Sequence, residues 1–239
     1  MYERLHHRLV ERVLLSLDDV LLARRRCFFG GGTAIALAHG EFRESVDIDF
    51  LIADADGYRG LRDDVRRAEG LTGVTRPGAL LTVARDVRID QYGIRTFIDV
   101  DGVLIKVEFV REARIDFDPP DEMTRIGGVL RLSDRDLAAS KLLANADRWA
   151  DDSVFSRDLI DLAMMDLPRR EMQKAKAKAG QAYSSIERDL RAAVDALGRR
   201  RGRLERCLHA LQVMTPLALV WGRIKRLPER VVRPGPIDT

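Results

Sequence analysis

Cysteine is nearly absent from this 239-residue chain: only Cys27 and Cys207 occur, far apart. That excludes a disulfide framework and a cysteine-rich metal motif, and makes a reducing compartment the expectation. No apolar run approaches the ~20 residues that a membrane-spanning helix needs. The amino-terminal stretch MYERLHHRLVERVLLSL carries a charge every few residues, unlike a secretory leader. A soluble, cytoplasmic protein with no membrane partner is therefore expected. Internal repeats and low-complexity tracts are missing, and so is the GxxxxGK[ST] phosphate loop. The four histidines, His6, His7, His39 and His209, show no ligand spacing and receive no role. Lysine is scarce as well, at 6 against 35 arginines.

What is present is an ordinary apolar fraction of 46%, enough for a sizeable core. The net charge of +3 is unevenly spread. Residues 1–168 hold 24 Lys and Arg against 31 Asp and Glu, a net of −7. Residues 169–239 hold 17 against 7, a net of +10. Such a split suggests that the carboxy-terminal part meets a polyanion, although a solvated face in an arginine-rich chain has the same signature.

The patterning divides the chain into a mixed α/β module over 1–132 and a helical module over 133–239, basic after 168. Leu5, Leu9, Val13, Leu17 and Leu21 predict one or two amphipathic helices over 3–24. Cys27–Phe29 reads as a short strand, Thr33–His39 as a helix stopped by Gly40, and Ser45–Ile52 as a strand. A charged helix is expected over Tyr58–Glu69. Leu80–Phe109 alternates as strands do, with Asp101–Gly102 as a hairpin turn, and Thr124–Leu132 turns at Gly127–Gly128. Ser133-x-x-Asp136 reads as a capping box opening a helix to about Trp149. Helices follow at Phe155–Met165, 169–197, 203–213 and 216–226, and the tail VVRPGPIDT reads as frayed.

One pairing carries chemistry. Three glycines end the first strand, and a helix starts at Thr33; backbone can approach a ligand closely there, and the helix N-terminus offers free N–H groups to phosphate oxygens. Beyond it, Asp47 and Asp49 are two apart on a strand, so both carboxylates project from one face. Like charges so placed are relieved by a divalent cation, and all-oxygen ligation completed by substrate phosphates suits Mg2+, with Mn2+ as the alternative. A third metal-ligating carboxylate is expected from a neighbouring strand. Asp90, Asp99 and Glu108 are the candidates, with Glu108 favoured because it interrupts the apolar run LIKVEFV. The combination points to nucleotidyl transfer from a nucleoside triphosphate.

At these residues the chain resembles a known family. GGTAIALAHG and RESVDIDF resemble the opening signature of the AbiEii/AbiGii toxin-type nucleotidyltransferases, of the polymerase-β nucleotidyltransferase superfamily. LSDRDLAASKLLANADRWADDSVFSRDLIDLAMM resembles the family's second conserved region. The resemblance covers about 27–166 and implies an α+β fold: a polymerase-β-like domain with a mixed sheet, then an α-helical domain. It implies Gly31, Gly32 and Thr33 at the triphosphate, Arg43 and Ser45 beside the metal site, and Asp47 and Asp49 on Mg2+. It also implies Lys141 at the nucleotide phosphates and Asp158 as a catalytic or site-organising carboxylate. Three glycines stand where the family has two, which would shift the phosphate turn by one. Family members modify RNA, some at the tRNA 3′ end, and are encoded beside an antitoxin; RNA, above all tRNA, and a cognate antitoxin are thus the implied partners. Two rivals stand beside that reading: a small-molecule, antibiotic-type nucleotidyltransferase, and a non-catalytic RNA-binding protein on the same fold.

Overall fold

Apolar side chains three and four residues apart build the first helix, α1 (Leu5–Ser16), in the computed structural model, which describes residues 2–68 and 70–231. His7, Leu9, Val10, Val13 and Leu14 are its buried stripe. The helical pattern over 3–24 breaks at Leu17, and Asp18 caps a second helix, α2 (Asp19–Arg24), by accepting the Leu21 N–H at 2.9 Å. The chain divides into two compact units, Met1–Ser133 and Asp134–Thr239. Glu69 and residues 232–239, which include nearly all of the expected frayed tail, lie outside the described residues.

After α2 the first unit runs β1 (Phe28–Gly30), α3 (Gly31–Ala38), β2 (Ile48–Ile52) and α4 (Ala55–Arg67). Three long strands follow, β3 (Thr82–Ile89), β4 (Gly93–Val100) and β5 (Val103–Arg111), then the small ribbon β6 (Arg125–Ile126) and β7 (Val129–Leu130). The expected strand over Ser45–Ile52 begins only at Ile48. The charged helix begins at Ala55 rather than Tyr58, because Asp54 accepts the Gly57 N–H and caps it early.

The main sheet has the order β1-β2-β5-β4-β3. Only the β2–β5 pair is parallel; the others are antiparallel. Its packed face is organised by one row of aromatics in direct register, Phe29 opposite Phe50 and Phe50 opposite Phe109. Ring centroids are 5.7 Å apart in the first pair and 5.1 Å in the second, which is stacked. Because side chains alternate across a strand, the neighbouring row, Gly30, Asp49 and Glu108, belongs to the opposite face. Burying the phenylalanines is thus what turns the acidic row outward.

The second unit is helical: α5 (Asp134–Arg148), α6 (Arg157–Met165), α7 (Arg169–Ala179), α8 (Ile186–Arg199), α9 (Arg203–Ala210) and α10 (Leu217–Val231). The long helix expected over 169–197 is two, divided just after Ala179 at Gly180. Asp136, expected in a capping box, is fully buried and pairs with Lys178 of α7 at 2.5 Å. Among the described residues no helix is long and apolar enough to cross a membrane.

The aromatic row sets a direct test. Phe50→Ala removes the middle ring and should cost roughly 3–5 kcal/mol. The denaturant midpoint should fall with its slope unchanged. A midpoint equal to wild type would show that the row does not anchor the sheet.

Candidate active site

The turn from β1 into α3 is made by glycines because nothing else fits. Gly31 has φ +68°, a left-handed conformation that side chains rarely adopt. A Cβ on Gly31 would lie 2.3 Å from Oδ2 of Asp49, and one on Gly32 would lie 2.2 Å from a guanidinium nitrogen of Arg43. The carboxylate of Asp49 is therefore pressed against the backbone that opens α3. Its N-cap residue, Gly30, supplies no side-chain cap, and a helix N-terminus attracts negative charge. Of the three glycines, Gly30 belongs to the strand, while Gly31 and Gly32 begin the helix.

The segment that delivers the aspartates is held from below. The buried Thr33 hydroxyl donates to the Asp47 carbonyl and hydrogen-bonds the Ser45 hydroxyl at 2.8 Å. Arg43, only 2% exposed, donates from Nη1 to the Glu44 carbonyl at 2.8 Å. The fully buried His7 of α1 accepts the Ser45 N–H on Nε2 at 3.1 Å, and its Nδ1 lies 2.7 Å from Glu41 Oε1. This pattern assigns the proton to Nδ1. Burial pushes the His7 pKa down, although Glu41 opposes the shift. Sequence reasoning gave His7 no role, and its only signal was a polar residue at an inward position of α1. Thr33 and Ser45, expected near the phosphates or metal, are thus linked to His7 and to the Asp47 carbonyl in one network, and Arg43, expected there too, lies against Gly32.

The three candidates for a third carboxylate are placed differently. Glu108 on β5 lies directly opposite Asp49 on β2. It is flanked by two cations: Arg95, its partner on β4, reaches Oε1 at 2.9 Å, and Lys106 reaches Oε2. Asp99 caps the hairpin by accepting the Gly102 N–H at 2.7 Å. Asp90 accepts from the Tyr92 and Gly93 N–H groups and pairs with Arg95. Among the described residues no three His, Cys, Asp or Glu side chains are grouped so as to hold a metal ion by themselves. Asp47, Asp49 and Glu108 do not form a ready-made cage, because the Glu108 oxygens face Arg95 and Lys106. Two half-buried carboxylates beside a helix start nevertheless suit Mg2+, which takes one or two protein carboxylates and completes its shell with phosphates and water.

In the helical unit, Lys141, Arg148, Asp158 and Asp161 form one cluster. Lys141 is 6% exposed, and its Nζ lies 2.9 Å from Asp158 and 2.7 Å from Asp161. Arg148 grips Asp158 with both oxygens engaged, at 2.7 and 2.9 Å. Burial alone would raise the Asp158 pKa, but Lys141 and Arg148 together hold it well below the ordinary carboxylate range. The ammonium of Lys141 is therefore shared between two aspartates, and a contact with nucleotide phosphates would require its release from them.

Asp158→Asn should destabilise the helical unit by about 3 kcal/mol at neutral pH, the low end for a broken buried pair because Lys141 keeps Asp161. A lowered native pKa stabilises above the unfolded value and is lost as pH falls through the native one. The gap between variant and wild type should hold above the ordinary value of 3.8 and close below it. Thermal melts at neutral and acid pH check this; a constant gap would contradict it.

Comparison with known proteins agrees with this geometry. The profile of the AbiEii nucleotidyl transferase toxin, type IV toxin–antitoxin system, matches residues 13–203, well over half of the chain. No curated protein sequence matches. A candidate nucleotidyltransferase from Helicobacter pylori shares 16% identity, with 95% of this chain and 94% of that chain covered and a TM-score of 0.53. JHP933, also from Helicobacter pylori, shares 16% identity, with 95% and 91% covered and a TM-score of 0.50. The nucleotidyltransferase toxin MenT4 of Mycobacterium tuberculosis H37Rv shares 17%, with 95% and 82% covered and a TM-score of 0.48. The Helicobacter likenesses are of fold. With the family match spanning the glycine turn, the aspartate pair and the buried lysine cluster, the chain belongs to the AbiEii family of toxin nucleotidyltransferases and is a nucleotidyltransferase.

Proposed function

We propose that this toxin moves a nucleoside monophosphate from an NTP onto an RNA hydroxyl, with the tRNA 3′ end as the first acceptor to test. The observation that carries the reading is the contact of Asp49 with the Cβ-free start of α3. It sets an anion-binding helix end and a cation-binding carboxylate side by side, as a metal-chelated triphosphate requires.

The residues divide the work. The N–H groups at Gly31, Gly32 and Thr33 hold phosphate oxygens. Arg43 adds fixed positive charge beneath the turn, and Ser45 with Thr33 and His7 holds the aspartate segment in place. Asp47 and Asp49 would hold Mg2+ or Mn2+, which when bound supplies Lewis-acid stabilisation of the transferred phosphoryl group and the departing pyrophosphate. The acceptor oxygen bonds to the α-phosphorus as the bond to the β-phosphate oxygen breaks. Glu108, next to Asp49, is the third carboxylate on the acceptor side. Lys141 and Asp158 act as positioning residues within the helical unit. We assign transfer to Met1–Ser133, and RNA backbone binding to the basic residues after 168. The chemistry is mostly alignment and charge stabilisation. NTP and RNA place the reaction in the cytoplasm, and the toxin–antitoxin setting of the family makes a cognate antitoxin the expected partner.

Asp47→Ala and Asp49→Ala should each lower transfer by roughly 10²–10³-fold, the scale of one lost preorganised electrostatic contact, while the melting temperature stays near wild type. Incubation with each labelled NTP, Mg2+ and total RNA, followed by sizing of the product, reads this out. Labelling of small hydroxylated acceptors in place of RNA would overturn the RNA assignment.

A further inference from the structure

The open face of the sheet holds a second constellation that the transfer chemistry does not use. The row Asp49, Glu108, Arg95 continues onto β3 at Arg88, the register partner of Arg95. The adjoining row runs from Lys106 through Phe97 to Arg85. Arg85 and Arg88 are three apart, so regular alternation would send them to opposite faces. They share a face because β3 slips register by one extra residue between Arg85 and Arg88; an earlier one-residue slip, between Val83 and Arg85, sets Arg85 opposite Phe97. The buried Thr96 pins this arrangement by donating to the Arg85 carbonyl at 2.5 Å.

The result is a cleft of about 600 Å³ lined by Arg85, Arg88, Arg95, Phe97 and Lys106, with Asp86 as its one carboxylate. Arg95 and Lys106 are committed to Glu108. Arg85 and Arg88 are exposed and, among the described residues, enter no ion pair with a carboxylate. The Arg85 guanidinium lies 4.4 Å from the centre of the Phe97 ring, so its other flat side is presented outward. Charges on an edge strand guard it against pairing with another sheet. Guarding explains neither the stacking on Phe97 nor the extra residue that turns both arginines to one side.

We propose that this platform holds the single-stranded end of the RNA acceptor, with a base stacked on the Arg85–Phe97 pair and a phosphate at Arg88. Planar guanidinium groups and aromatic rings take unpaired bases, and free arginines take backbone phosphate. Three strand spacings separate Asp49 from Arg88, about 14 Å, a distance the last few nucleotides of a strand can cover. The NTP binds at the other end of the same row, where α3 begins, so the carboxylates stand between donor and acceptor. This inference rests on the RNA reading above.

The test uses the full chain and a single-stranded RNA oligonucleotide, without NTP or metal, over a series of salt concentrations. Each phosphate contact to a single strand contributes about 0.7 to the slope of log affinity against log salt. The R85A/R88A variant should bind more weakly, with a slope about 0.7 shallower for the one phosphate lost at Arg88, an unchanged melting temperature and unchanged NTP affinity. R59A/R67A, which removes the same charge from α4, should keep the wild-type slope. If wild type labels RNA but R85A/R88A binds RNA as wild type does, the platform is wrong and the RNA reading stands. If R85A/R88A loses NTP affinity while RNA binding is unchanged, the cleft serves the nucleotide and the proposal is overturned. If wild type labels no RNA at all, the RNA reading fails and the platform fails with it.

Discussion

The approach of Asp49 to the start of α3 is the constraint on which the rest of the site depends. A carboxylate against a helix N-terminus is favourable in itself, since the free N–H groups and the helix dipole attract negative charge. Any side chain at Gly31 would occupy the position of the Asp49 oxygen. The same backbone is where we propose that triphosphate oxygens bind, and they would repel Asp49 unless a cation joined them. Glycine at Gly31 and, in the proposed reaction, a divalent ion between Asp49 and the triphosphate both follow from that close approach.

Keeping that distance requires a rigid support, and the support is polar and buried. His7, Thr33 and Arg43 are all nearly inaccessible, yet each has a backbone partner in the segment leading to Asp47. Buried polar groups are costly unless satisfied, so once paired they fix one conformation of the segment. The aromatic row beneath the sheet does the complementary task. By committing Phe29, Phe50 and Phe109 to the core it leaves Asp49 and Glu108 no choice of face.

Much of this was legible from residue order alone, because glycines, alternating aspartates and hairpin turns are local signals. The strand–glycine–helix unit and the turn at Asp101–Gly102 follow from short-range chemistry, whereas Asp47, expected on a strand with Asp49, precedes β2. What was not legible depends on partners distant in the chain. Nothing near Glu108 announces that β5 pairs in parallel with β2, which makes it the neighbour of Asp49. His7 lies 38 residues from the Ser45 amide it supports. The sharing of Lys141 between Asp158 and Asp161 needs two helices packed together. The slips in β3 are invisible because alternation, the signal used to find strands, is what a bulge disrupts.

The decisive measurement of whether the bare backbone at Gly31 sets Asp49 beside the proposed phosphate-binding end of α3 is NTP binding and nucleotidyl transfer by Gly31→Ala with Mg2+ present. The added methyl group must displace Asp49 or the turn, so both should fall sharply while the protein stays folded by circular dichroism. A folded Gly31→Ala protein that binds NTP and transfers at the wild-type rate would contradict the account.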